Sequence, residues 1–419
     1  MSSEQHLTKE ERSWILYDIG NSAFVLVMVT AIMPLFYKDV AAAHLPGAVS
    51  TAYWGYANSA SSLILAVLSP FLGALADYRQ RKKFFFLSFF FLGLSFNFAL
   101  CFVGTGQWLL CLVYFILAKL GWAGANIFYD AFLVDVTSRE RMDTISTYGY
   151  GFGYIGSVIP FLVVIGLILS AGMSEGLPIT ATRLGFICVA LWWLALAVPA
   201  MKNLTQQRFV DAEIPAVGGF SRLWQTLKEI RKHKQVFIFL LAYFFYIDGV
   251  GTIISMATAY GRDLGFGITL LILVLLFIQI VAFPFALLFG RLAVIFTAKK
   301  MLLVGIGIYC LVTLLAFFLP TIDNLHVKTG IFWGIAFLVA SAMGGIQALS
   351  RSYYSKLIPP ERSGEFFGFY NVFGKFAVIT GPFLMGLIGQ LTGETKWGVL
   401  SIVLLFIIGG ILLTGVEEK

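Results

Sequence analysis

The chain has 419 residues, of which 59% are hydrophobic and only 12% charged, with a mean hydropathy of +0.87 and a formal net charge of +7. A soluble domain carries about 25% charged residues, so most of this surface must face lipid and a soluble globular fold is excluded. The positive charge does not mark a nucleic-acid binder, because the basic residues lie in short loops between apolar runs rather than on one basic domain.

A helix needs about 20 mainly apolar residues to cross a bilayer. In chain order, such runs fall near 14–37, 50–76, 84–104, 108–130, 146–171, 182–201, 235–260, 267–289, 301–319, 329–350, 366–391 and 397–415. The expectation is an all-α membrane protein of twelve transmembrane helices. Met1–Ser13 is polar, with no cleavage signal after a short apolar core, so the first span is expected to be retained. The residues at 202–234 are the longest polar stretch and divide the chain into an N-terminal six-helix bundle (1–201), a central loop (202–234) and a C-terminal six-helix bundle (235–419). Within that loop, Phe220–Lys234 has apolar residues near helical spacing and a basic remainder, which suits either a helix lying on an anionic leaflet or a solvated linker.

Lys and Arg set the orientation. Alternate loops hold Arg79, Arg81, Lys82 and Lys83, then Arg139 and Arg141, then the basic central loop, then Arg291, Lys299 and Lys300, then Arg351, Lys356 and Arg362. The loops between them hold only Lys38, Arg183, Arg262, Lys328 and Lys396. By the positive-inside rule both termini are cytoplasmic, in a multi-pass protein of the cell (inner) membrane. The four cysteines, Cys101, Cys111, Cys188 and Cys310, all lie in apolar runs without ligand spacing, so neither a disulfide framework nor a metal site is expected. No cofactor is expected either.

The two halves repeat weakly. Gly73-Ala-Leu-Ala-Asp77 precedes Arg81-Lys82-Lys83, and Gly290-Arg-Leu-Ala-Val294 precedes Lys299-Lys300, at an offset of 217 residues. The Gly-rich stretch at 149–156 matches 368–374 at a similar offset. Duplicated units of this kind build many transporters.

The loop Gly73-x-x-x-Asp77 with Arg81-Lys82-Lys83 resembles the signature loop of the major facilitator superfamily, although Tyr78 stands where a basic residue is usual, Gln80 where Gly is usual, and Val294 where the second copy would be acidic. Tyr17-Asp-Ile-Gly-Asn-Ser-Ala-Phe24, Tyr246-Ile-Asp-Gly-Val250, Gly345-Ile-Gln-Ala-Leu-Ser-Arg-Ser352 and Glu365-Phe-Phe-Gly-x-Tyr370 resemble one branch of it, the "unknown major facilitator" family, bacterial relatives of fungal vacuolar amino-acid effluxers. That resemblance implies a two-bundle major facilitator fold with spans 1, 4, 7 and 10 lining a central cavity. It implies transport of a small-molecule substrate, and a cytoplasmic gate at Gly73, Asp77, Arg81 and Lys82. For Arg351, at the end of span 10, a gate pair and plain positive-inside anchoring stay equally open.

A charge at bilayer depth costs at least about 2.5–3.5 kcal/mol on insertion scales. Four such residues occur: Asp18, Lys119, Asp248 and Lys375. Asp248 and Lys119 suit a substrate or proton site, where Lys119 holds a carboxylate and Asp248 holds an amine or loads and releases a proton. Structural ion pairs, such as Asp18 with Lys375, are the alternative. Asn21, Asn126, Tyr246 and Gln347 complete the candidate substrate and proton site. Opposite charges suit a zwitterion, with an organic anion or an amphipathic drug as alternative cargo.

Two patterns are decoys. Gly151-x-Gly153-x-x-Gly156 fits a dinucleotide fingerprint but lies in a span, where close helix packing explains it better. The phenylalanine run at 84–91 is read as lipid-facing bulk. A membrane enzyme is disfavoured: His6, His44, His233 and His326 are all in termini or loops, and no metalloprotease, hydrolase or phosphate-loop motif is present. A transport-fold sensor would need a signalling domain, and the central loop is too short for one. The partners expected are therefore substrate, protons and the lipid bilayer, with no obligate protein partner.

The topology has a direct test in bacterial cells. Alkaline phosphatase fused near Gly106 should be active, and a fluorescent protein fused after Lys419 should fluoresce. The opposite pair of readings would invert the orientation.

Overall fold

The computed structural model describes residues 6–172, 177–211 and 232–417. Among the described residues, twelve long helices follow in order: α1 (Lys9–Ala41), α2 (Gly47–Ala76), α3 (Arg81–Ala99), α4 (Trp108–Ala131), α5 (Met142–Ser170), α6 (Ile179–Asn203), α7 (Lys234–Asp263), α8 (Ile268–Phe296), α9 (Ala298–Phe318), α10 (Leu325–Leu357), α11 (Ser363–Thr392) and α12 (Thr395–Thr414). Among the described residues, eleven stretches are long and apolar enough to cross a membrane. The helix outside that count is α11, whose 30 residues are ample in length and some of whose side chains, Lys375 included, lie outside the described set. Most of the Phe220–Lys234 segment also lies outside it.

Local chemistry sets the helix ends. α1 starts with a reciprocal cap: the Thr8 hydroxyl accepts from the Glu11 N–H at 3.1 Å, and the Glu11 carboxylate accepts from the Thr8 N–H at 2.9 Å. Farther along, α1 widens into π-helical turns at Val25–Ala31 and Tyr37–Ala41. Pro34 lies between them and has no N–H to give to the ordinary helical ladder. α3 starts after Gln80, whose φ of +63° is left-handed. That backbone explains why glycine is usual at this position: a Cβ is penalised there.

The chain divides into two compact units. The first is Met1–Ser138 with Phe152–Pro215 and Pro359–Gly368; the second is Arg139–Gly151 with Ala216–Ile358 and Phe369–Lys419. Each unit thus contains the start of one helix, α11 or α5, whose remainder belongs to the other.

In the first unit the core is aromatic. Trp14 stacks on Tyr129 at 4.6 Å, and each ring's polar atom hydrogen-bonds the other residue's carbonyl. Tyr17 packs between Phe86 and Tyr129, and Phe90 meets Trp193 edge-on at 4.9 Å. Phe86 and Phe90, four residues apart on α3, are therefore fully buried, whereas Phe84 and Phe91 are 56% and 49% exposed. This corrects the reading of the run as lipid-facing bulk, because helical periodicity turns one stripe of it inward. The glycines at 151–156 do lie at helix contacts: Gly153 faces Ser22 and Gly156 faces Ile19 of α1, and Gly151 faces Leu287 of α8.

The strained start of α3 gives a stability prediction. Gln80→Gly should raise the thermal midpoint, with a gain of about 1 kcal/mol from the relieved left-handed backbone. A midpoint that stays level or falls would mean that the Gln80 side chain offsets its own strain.

Candidate functional site

In the first unit, Asn21 is the centre of a polar network on α1 and α4. Its amide nitrogen donates to Asp18 Oδ1 at 3.1 Å, and its amide oxygen accepts from Trp122 Nε1 at 3.1 Å and from Asn126 Nδ2 at 3.2 Å. Asp18 and Asn21 are buried three residues apart on one face of α1, and Trp122 and Asn126 answer from one face of α4. The Asn126 amide oxygen is buried without a partner among the described residues. Lys119 lies on α4 seven residues before Asn126, and its ammonium donates to the Asn58 side chain on α2 at 2.7 Å. Sequence reasoning did not include Asn58; an Asn two turns into a span has no charge to draw attention to it.

In the second unit, Asp248 is fully buried on α7. Its Oδ1 accepts the Gly381 N–H of α11 at 2.9 Å, while Oδ2 has no hydrogen-bond partner among the described residues. The Gly-Pro pair at 381–382 makes this contact possible. A side chain at 381 would collide with Thr252 and crowd Asp248, and a proline inside the helix weakens its hydrogen-bond ladder there. Tyr246, two residues earlier on α7, shares a 2.7 Å hydrogen bond with Ser350 of α10. Gln347, half-buried on α10, makes no hydrogen bond to a described residue. The Lys375 side chain, expected in this site or as a partner of Asp18, lies outside the described residues.

The signature loop meets the start of α11 within the first unit. Gly73 packs so closely on Gly364 that a side chain would collide with its carbonyl, and Gly368 likewise lies on Ser69 and Pro70. Ser69, Gly73 and Asp77 recur every four residues and form the α2 side of this contact. Asp77 ends it: its two oxygens accept the N–H groups of Gly364 at 2.7 Å and Glu365 at 2.8 Å, at the positive end of the α11 dipole. Lys82, fully buried, bonds Asp135 at 2.7 Å and the Ser363 hydroxyl at 2.8 Å. Removing one partner of such a buried pair costs about 3–5 kcal/mol. Arg81, adjacent in sequence, is exposed, and its side chain has no partner among the described residues. Lys82, not Arg81, is thus the basic residue of the loop that reaches α11.

The second unit repeats the arrangement at the offset of 217. Gly290 of α8 packs on Thr147 of α5 as Gly73 packs on Gly364, and Ala286 meets Gly151 as Ser69 meets Gly368. The equivalent serines are each held by a cation: Lys82 on Ser363, and Arg351 on Ser146 at 2.9 Å. The Arg351 guanidinium also lies 4.3 Å over the Tyr150 ring, so it grips α5 rather than merely facing water. Nearby, Asp143 accepts from Ser352 and Lys356.

A short strap after α6 is stitched onto the signature loop. The free oxygen of Asp135 accepts the N–H groups of Gln207 and Arg208, Val210 pairs with the backbone of Asp77 and Tyr78, and Gln206 caps Lys82 while donating to Ala76. None of this was anticipated from sequence, because backbone donors leave no signature in residue identity.

Asp77 lies between α2 and α3, outside the spans. Burial pushes its carboxyl up to about 7, opposed by the nearby Lys82 and by the two N–H donors. Because the folded value is raised, the folded chain holds a proton that the unfolded chain has released, so stability falls as pH rises from 3.8 to about 7 and levels above. Asp77→Asn should lack this slope, differing from wild type by up to roughly 2–3 kcal/mol between about pH 5 and about pH 8. Parallel thermal-midpoint curves for the two proteins would sink the assignment.

Comparison with known proteins fits this geometry. Residues 7–137 and 134–419 match the family described as "Vacuole effluxer Atg22 like". An uncharacterized MFS-type transporter, YxiO, of Bacillus subtilis is 48% identical over 99% of this chain and 96% of its own length. Autophagy-related protein 22 of Vanderwaltozyma polyspora is 26% identical over 62% of this chain, which covers 54% of that longer protein. The fold is shared with a bacterial homologue of the iron transporter ferroportin (TM-score 0.70, 15% identity, 98% and 99% of the two chains) and with the human organic anion transporter MFSD10 (TM-score 0.66, 14% identity, 97% and 100%). The chain therefore belongs to the Atg22-like vacuole effluxer family and is a membrane-embedded MFS-type transporter with the major facilitator fold, not an enzyme.

Proposed function

We propose that the chain is a secondary active transporter of the "unknown major facilitator" branch. It moves a small polar solute, an amino acid or similar zwitterion, by alternating access coupled to protons across the inner membrane, with both termini in the cytoplasm. The observation that carries the reading is the Asp248 carboxylate, fully buried and with one oxygen unshared among the described residues. A buried carboxylate costs free energy unless it is neutralised or paired, and a proton or the amine of a solute supplies what Oδ2 lacks. The network around Asn21 and the Lys119 ammonium supports the polar half of such a site. The contacts of Asp77 and Lys82 with α11, and of Arg351 with α5, act as latches that release when the cytoplasmic side opens.

The test pairs a binding screen with transport. Purified wild type and Asp248→Asn are compared by thermal shift against amino acids, peptides, organic acids and cations at two pH values. A ligand at 100 times its Kd adds about 2.7 kcal/mol. One chemical class should shift the wild type, and the variant should lose that shift or its pH dependence. In liposomes the variant should lose proton-driven uptake. Equal shifts and equal uptake in the two proteins would remove Asp248 from the mechanism.

A further inference from the structure

A cleft of about 500 Å³ opens where the strap crosses the start of α3. Two cations, Arg79 and Lys83, line it, with the polar side chains of Thr205 and Gln206 and the rings of Phe209 and Phe84. No lining residue is acidic. Neither cation has an ion pair among the described residues, and the one recorded contact of the Arg79 guanidinium is with the Phe209 ring, 5.5 Å from its centroid. The positive-inside pattern alone would leave two such residues spread in water. Here the left-handed backbone at Gln80 reverses the chain between them, and the strap walls them into one concavity.

We infer that this cleft binds the phosphate group of an anionic phospholipid from the leaflet on its own side of the membrane. Two cations and neighbouring hydroxyl and amide groups match a phosphate diester, and Arg presents a fork of donors to its oxygens. The same chemistry would fit free phosphate. The apolar surroundings favour the lipid: α3 enters the membrane from Arg81, and a stripe at Phe84, Ser88 and Phe91 faces outward along it, with Phe84 56% and Phe91 49% exposed. An acyl chain attached to the phosphate would lie along that stripe. The occupied cleft would tie the strap to the loop that holds Asp77, so the lipid would stiffen the α2–α11 contact. The inference rests on the cleft and not on the identity of the transported solute.

Native mass spectrometry of the full-length protein, titrated with phosphatidylglycerol and with phosphatidylcholine, tests it. Wild type should retain one phosphatidylglycerol in preference to phosphatidylcholine. Arg79→Gln with Lys83→Gln should bind it at least about tenfold more weakly, the effect of two basic residues near an anionic surface. Lys202→Gln, an exposed basic residue outside the cleft, should bind as wild type does. The charge-conserving pair Arg79→Lys with Lys83→Arg should keep most of the binding and so separates lost charge from misfolding. Undiminished phosphatidylglycerol binding by the double Gln variant would overturn the proposal. Displacement of the lipid by millimolar inorganic phosphate, with phosphate alone raising the thermal midpoint of wild type but not of the double variant, would also overturn it in favour of a free anion.

Discussion

Hydrocarbon offers no hydrogen bonds, and that constraint governs every polar feature of this chain. A polar group inside the bilayer must find its partner in the protein or remain unsatisfied at a cost of several kcal/mol. The consequence is visible at several buried polar positions. Asn21 uses its amide in both directions, Lys119 is met by Asn58, and Lys82 is met by Asp135 and Ser363. Against that background an oxygen left open is informative. Asp248 Oδ2 is such an oxygen, and it belongs to a carboxylate, whereas the Asn126 amide oxygen and the Tyr309 hydroxyl, also buried without a hydrogen-bond partner among the described residues, are neutral groups.

The same constraint explains the small residues. Lipid competes as well as any side chain for apolar faces, so helices hold together through close backbone approach and through polar contacts that only close approach permits. Gly73 on Gly364 and Gly290 on Thr147 bring helix ends near enough for a serine to be reached by a cation. The duplication has kept the spacing and changed the chemistry. An ammonium shared with a carboxylate serves one copy, and a guanidinium stacked on a tyrosine serves the other. The carboxylate at Asp77 has no counterpart, since the equivalent Val294 is exposed.

What could be read from sequence follows from what leaves a mark in residue identity. The span pattern, the signature loop and the 217-residue repeat are written in hydropathy and in Gly, Asp and Lys at fixed spacing, and the helices stand where those marks placed them. The intramembrane charges were also visible, because a charge in a span is conspicuous. Their partners were not. Asn58 and the N–H of Gly381 are ordinary in sequence and gain meaning only when the helices that carry them become neighbours. The strap at 204–210 was hidden for the same reason, since its contacts run through backbone. The phenylalanine run misled because composition was read without its helical phase, which turns Phe86 and Phe90 inward.

Phase matters again in α1. The π-helical turns on either side of Pro34 advance the chain more slowly around the axis than an α-helix does. A helical wheel anchored at Asp18 and Asn21 therefore loses registration beyond Val25, and residues assigned to one face by ordinary spacing lie on another. The two segments of α1, before Val25 and after the π-helical stretch that ends at Ala31, thus present their side chains on faces set independently of each other.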